Sequence, residues 1–211
     1  MFTNRKQAAL LLAKALEKYN DKNVLILGIP RGGAETAYYI AQQLHAELSL
    51  LIVRKLSYPQ NPEYAFGAIA EDGTIYYNPY SKIDLSQEMI DAIEEEQQKE
   101  IDHRIEVFRK GYPLPDITNK TVIIADDGIA TGATIFAAIK MCRKKKASKV
   151  VVAAPVASKS KEKELLKEAD EVVILEKPAT FLAVSEAYES FYNLTDEETA
   201  AFMEKWEKAK V

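Results

Sequence analysis

The stretch Val-Ile-Ile-Ala-Asp-Asp-Gly-Ile-Ala-Thr-Gly-Ala-Thr, residues 122–134, holds the residues best suited to chemistry in this chain. The run Val122 to Ala125 is apolar and short, as in a strand buried on both faces. Asp126 and Asp127 follow at its carboxyl end. Ionised carboxylates only accept hydrogen bonds, so an adjacent pair suits the vicinal hydroxyls of a sugar. Next comes a loop of small residues, Ala130, Thr131, Gly132, Ala133 and Thr134, running into an amphipathic helix. Amides and hydroxyls at a helix N-terminus suit a phosphate monoester. A ligand with both features is a ribose 5-phosphate. The competing reading of the acids is a turn that merely caps the helix.

Two other segments carry matching chemistry. Asn23 to Ile29 reads as a second buried strand, followed by Pro30, then Arg31-Gly32-Gly33 and a helix over about 34–44. A glycine pair lets backbone amides approach an anion closely, and the arginine fork adds donors for phosphate oxygens. Leu48 to Lys55 reads as one apolar strand ending in Arg54-Lys55. Cations there would lie on the edge where open α/β sheets bind ligands, and would neutralise a departing diphosphate.

These residues resemble the type I phosphoribosyltransferases. Asp126, Asp127, Ala130, Thr131, Gly132 and Thr134 match that family's motif for phosphoribosyl diphosphate (PRPP) position by position, while Gly128 stands for a bulkier apolar residue and Ala133 for a frequent glycine. The resemblance implies that the acids hold the ribose 2- and 3-hydroxyls and the loop holds the 5-phosphate. It implies that Arg31, Gly32, Gly33, Arg54 and Lys55 meet the diphosphate, and that the Pro30–Arg31 bond is cis. It also implies Mg²⁺ as cofactor, carried by the diphosphate and ribose hydroxyls with no protein metal site of its own. Residues 56–66 stand where the family keeps a flexible catalytic loop. Glu63, its only carboxylate, is with Asp127 a candidate catalytic residue, Glu63 as proton shuttle. Residues 177–184 resemble the base-stacking segment of purine-salvage members, with Phe181 as the stacking ring. Ala130 stands where members acting on 6-oxopurines carry an aspartate, and the orotate-type loop after Lys55 is missing. Residues 23–194 as a whole are similar to stand-alone bacterial phosphoribosyltransferase-like proteins. The expected activity is transfer from PRPP to a small nitrogenous acceptor; the alternative is a non-catalytic PRPP sensor.

The elements that must position these residues follow from periodicity. Strands near 24–29, 48–54, 121–125, 149–154 and 171–175 alternate with helical patterns, which predicts an α/β fold with a parallel sheet flanked by helices. Asp72-Gly73 within 67–78 signals a hairpin. Residues 86–109 read as a long acidic helix with Ile90, Ile93, Ile101, Ile105 and Phe108 on one face. Thr195-Asp196-Glu197-Glu198 is a capping box opening a last helix that carries Phe202 and Trp206. We therefore expect one domain over 1–211: a core at about 20–175, a flexible loop and hairpin at 56–78, and a small hood with the C-terminal helix at 176–211.

Composition sets the remaining bounds. At 211 residues and 47% hydrophobic composition the chain can bury a full core, and its net charge of −4 gives no field drawing it to nucleic acid. The basic run Lys140, Arg143 to Lys146 and Lys149 falls at a helix end, where cations complement the dipole. The single cysteine, Cys142, excludes an internal disulfide or a cysteine-cluster metal site. With only His45 and His103, a histidine triad has little support. Residues 8–19 repeat apolar side chains at helical spacing, with Lys14 and Glu17 interrupting any signal-like run, and no apolar stretch approaches the ~20 residues of a membrane span. A cytoplasmic homodimer that meets neither membrane nor nucleic acid is the expectation.

Overall fold

A computed structural model of the chain describes residues 1–209 apart from 82, 180 and 182, without side-chain detail at 62 and 63. Five strands form a wholly parallel sheet: β1 (Val24–Gly28), β2 (Glu47–Leu50), β6 (Thr121–Ala125), β7 (Lys149–Val156) and β8 (Glu171–Glu176), in spatial order β2-β1-β6-β7-β8. Every residue of β1 is buried, as a strand covered on both sides must be. Alternate side chains divide between two cores. Leu25, Leu27, Val122, Ile124, Val150 and Val152 pack with α4 (Ala133–Lys144), while Val24, Ile26, Ile123 and Val151 pack with α1 (Arg5–Ala15) and α2 (Gly32–Leu44). The order runs outward from β1 on one side and from β6 on the other. The crevice at the carboxyl ends of β1 and β6 is thus the switch point, where open α/β sheets take their ligands.

The expected strand at 48–54 is broken. β2 ends at Leu50, and β3 (Val53–Tyr58) belongs to a second, antiparallel sheet with β4 (Asn61–Ala70) and β5 (Ile75–Tyr77). The polar groups exposed by the break are met by a buried ion pair. Glu71 Oε2 accepts from the Ile52 amide, Arg109 Nη1 donates to the Leu50 carbonyl, and Arg109 Nη2 lies 2.9 Å from Glu71 Oε1. The apolar run Leu50 to Val53 crosses the break without interruption, so hydrophobicity alone could not mark a change of sheet. Residues 56–66, read as a catalytic loop, pair as strands about the turn at Pro59-Gln60, with register irregularities at Leu56–Tyr58. The Asp72-Gly73 turn is present, with Gly73 at φ +78° and the Thr74 amide donating to Asp72 Oδ1.

The second sheet is held between two helices. Val53, Ala68 and Ala70 face the α4 core, while Leu56, Phe66 and Ile69 face Ile101 and Phe108 of α3 (Gln87–Arg109). The last strands are linked through α5 (Lys159–Leu165), and the chain ends in α6 (Asp196–Ala209). The capping box forms reciprocally: Glu198 N donates to Thr195 Oγ1, and Thr195 N donates to Glu198 Oε2. Phe202 and Trp206 anchor α6 on Tyr38 of α2, at ring-centroid distances of 5.5 and 6.3 Å. In α1 the buried stripe is Arg5, Ala8, Ala9, Leu12 and Ala13, with Leu16 just beyond, while Leu11, within the apolar repeat of residues 8–19, is 46% exposed. No helix among the described residues is long and apolar enough to cross a membrane.

Candidate functional site

The site begins where β6 leaves the sheet. Ile29 N donates to Ala125 O and Asp126 N donates to Ala153 O, the last rungs before the chain turns away. Asp127 N donates back to Asp126 Oδ1 at 2.9 Å, and Ile129 is stitched to β7 through Val156 O. Ala130 and Thr131 are exposed. Gly132 stands at the N-cap of α4 with φ +80°, a conformation that favours glycine. No side chain caps this helix, and its first turn holds no acid. The reading of the acid pair as a helix cap therefore falls. The first-turn amides of α4, around Ala133 and the half-buried Thr134, have no carbonyl of their own helix to meet and carry the positive end of its dipole.

Across the crevice, the loop after β1 carries a cis Pro30–Arg31 bond, as the resemblance implied, and α2 starts at Gly32. The two loops touch. A Cβ at Gly32 would lie 1.8 Å from Asp127 Oδ2, and one at Gly33 would lie 3.0 Å from Asp126 Oδ1. The glycine pair thus leaves room for the acids. Gly128 has a different reason. Its Cβ would fall 2.5 Å from Val184 Cγ1, so the segment after β8 occupies the space that a bulkier residue would need.

The expected cations part company. Arg54 and Lys55 lie within β3 of the second sheet rather than at the end of a core strand, and successive side chains on a strand point to opposite faces. Arg54 is half-buried and its Nε donates to Gln97 of α3 at 3.0 Å; burial, with Arg104 and Arg31 nearby, lowers its pKa. Lys55 is exposed, and its charge favours ionisation of Asp126. Arg31 is exposed, with Nη1 3.7 Å from Asp196 Oδ1 at the start of α6. Glu63 lies in β4, but its side chain is outside the described residues. Phe181 is half-buried beside Phe2, Val156 and Tyr188, and lines a cavity of about 290 Å³ with Glu176, Pro178 and Glu186.

Burial dominates the electrostatics. Asp126 is pushed well above the usual carboxylate range by burial and by the charge of Asp127. Asp127 is raised by burial too, but Arg5 opposes the rise. Arg5 was not singled out from the sequence. It is 3% exposed, and its Nε donates to Asp127 Oδ2 at 2.7 Å. Its one local signal is its place three and four residues before Ala8 and Ala9, on the buried stripe of α1. The hydroxyl of Tyr188, which follows the stacking segment in sequence, donates to the Asp127 carbonyl.

The described residues contain no group of three or more His, Cys, Asp or Glu able to hold a metal. Mg²⁺ takes oxygen ligands in octahedral geometry and usually keeps several waters beside substrate phosphates. Asp127 is hydrogen-bonded to Arg5, and burial raises the pKa of both acids, with Arg5 opposing the rise at Asp127. That donor set does not by itself make such a cage.

A family model for the phosphoribosyl transferase domain matches residues 4–189. The chain belongs to this family. Two curated relatives from Mycobacterium tuberculosis, "Putative phosphoribosyl transferase Rv0571c" (strain ATCC 25618 / H37Rv) and "Putative phosphoribosyl transferase MT0597" (strain CDC 1551 / Oshkosh), are each 41% identical over 207 residues. That match covers 97% of this chain and 47% of either relative, so the chain spans about half their length. Among solved structures, TT1426 from Thermus thermophilus is similar with a TM-score of 0.81 at 36% identity, over 97% of this chain and 98% of that one. The phosphoribosyl transferase match includes Arg5 and both loops of the crevice, but ends before α6.

Proposed function

We propose that this domain transfers the 5-phosphoribosyl group of PRPP to a small nitrogenous acceptor, releasing diphosphate. One observation carries the reading: the acid pair and the uncapped start of α4 face the glycine pair of α2 across the β1/β6 switch point. In this reading Asp126 and Asp127 accept from the ribose hydroxyls, and the amides and threonine hydroxyls of residues 130–134 hold the 5-phosphate. The amides at Gly32 and Gly33, with Arg31 and Lys55, face the diphosphate. Arg54, turned toward α3, acts at longer range. Mg²⁺ supplies charge neutralisation on the diphosphate when bound. Asp127 and Glu63 keep their candidate catalytic roles, and Phe181 its place as a stacking ring for the acceptor.

Calorimetry with PRPP and Mg²⁺, repeated on the Asp126→Asn/Asp127→Asn double variant, tests the donor. Binding by the wild type that is lost in the variant is expected; equal binding by both would falsify the assignment. A panel of nitrogenous bases assayed for diphosphate release then identifies the acceptor. PRPP binding with silence across the panel would favour a sensor.

A further inference from the structure

We propose that Arg5 is a positioning residue for the sugar-binding acid: its guanidinium keeps the Asp127 carboxylate charged and aimed into the crevice, and ties it to the segment at residues 191–192. The proposal rests on the ribose role assigned above to Asp127. Arg5 is held on several sides. Nε donates to Asp127 Oδ2 at 2.7 Å, Nη1 donates to the Tyr192 carbonyl at 2.7 Å, and Cζ sits 4.1 Å from the centre of the Phe191 ring. At 3% exposure it is covered, and so acts through Asp127 rather than on a ligand.

Stability alone does not account for this pair. Buried ion pairs are often matched or bettered by apolar side chains of similar volume, because desolvation offsets the attraction. What an apolar residue could not do is decide which of two neighbouring acids ionises. Two carboxylates sharing a dry site raise each other, and a cation beside one of them separates their roles. Glu35 from α2 adds to the crowding: its Oε2 lies 4.0 Å from Arg5 Nη1 without a hydrogen-bond partner, and its carboxyl is raised by burial. Glu198 and Lys205 of α6 bear on Glu35, Tyr39 and Tyr192 contribute phenols, and Lys55 of β3 acts on Asp126. Arg5 is the cation in hydrogen-bonding contact with Asp127. Oδ2 is the oxygen engaged in that contact, and the Asp127 carboxyl is also hydrogen-bonded to its neighbour Asp126.

The test is PRPP affinity by calorimetry for wild type, Arg5→Gln and Arg5→Lys, across pH from about 5 to about 9, each pKa unit of rise in the acid costing about tenfold below its titration. Arg5→Gln is expected to weaken PRPP binding near neutral pH, with the deficit closing as pH rises, and Arg5→Lys to recover part of it. In steady state the KM for PRPP rises while that for the acceptor holds. Affinity equal to wild type at every pH overturns the proposal. So does tighter binding, which would make Arg5 a competitor of the sugar. A wild type that ignores PRPP refutes the donor assignment instead. Should Arg5→Gln not fold, carboxyl carbon NMR of the wild type decides: Asp127 losing its proton before Asp126 supports the role, and the reverse order overturns it.

Discussion

Gly128→Ala probes the contact between the acid loop and the segment after β8. The new Cβ would lie 2.5 and 2.9 Å from the two methyls of Val184 and 3.1 Å from a methyl of Val156. Carbon atoms prefer about 3.5–4.0 Å, so roughly 1 Å of separation must come from moving Val184. Backbone strain adds nothing, since Gly128 is not among the glycines of positive φ. Overpacking of this kind costs about 1–3 kcal/mol. In a chain of this size each kcal/mol is worth about 2–4 °C of melting temperature. Val184→Ala removes the two obstructing methyls from a half-buried site and should cost about 1 kcal/mol by itself. In the double variant the added methyl enters the vacated space. The two losses should then fall short of additivity by about 1 kcal/mol or more. Urea unfolding of all four proteins, comparing midpoints at constant m, measures the coupling. Losses that add within about 0.5 kcal/mol would show that Val184 does not lie over Gly128.

Two further outcomes follow from charge. Asp126 has a raised pKa in the folded chain, so its stabilising contribution is present at low pH and lost as pH rises through that value. Asp126→Asn should therefore melt higher than wild type at neutral pH, and the gain should vanish below about pH 4, where the unfolded acid is also protonated; an equal gain at every pH would refute the cause. Glu171 runs the other way. Burial alone would raise it, but hydrogen bonds from Lys18, Tyr19 and Lys149 outweigh that and pull it down to about 2. Its contribution is present above the ordinary carboxylate range and lost as pH falls toward 2. Glu171→Gln should thus destabilise at pH 7 and match wild type in strong acid, by thermal melts; a deficit that persists at low pH would point to lost packing.

The parts legible from sequence are those governed by short-range rules. The run Val122–Thr134 announced strand, acids, loop and helix because burial, cap chemistry and glycine conformation each act over a few residues. The Asp72-Gly73 turn and the capping box at Thr195 were legible for the same reason. The family resemblance added the cis bond at Pro30–Arg31, which no local rule supplies.

Tertiary structure decided what depends on residues far apart in the chain. Arg5 meets Asp127 across 122 positions because α1 and the end of β6 lie on the same face of the sheet. Arg54 and Lys55 lie on the second sheet rather than at the end of a core strand because the chain changes sheets at Leu51-Ile52, with Glu71 and Arg109 satisfying the exposed backbone. Val184 took the volume that Gly128 leaves. Sequence pattern records which side chains are apolar and at what period. It does not record which strand comes next in the sheet, and that order sets which charges share a dry crevice and how strongly they perturb one another.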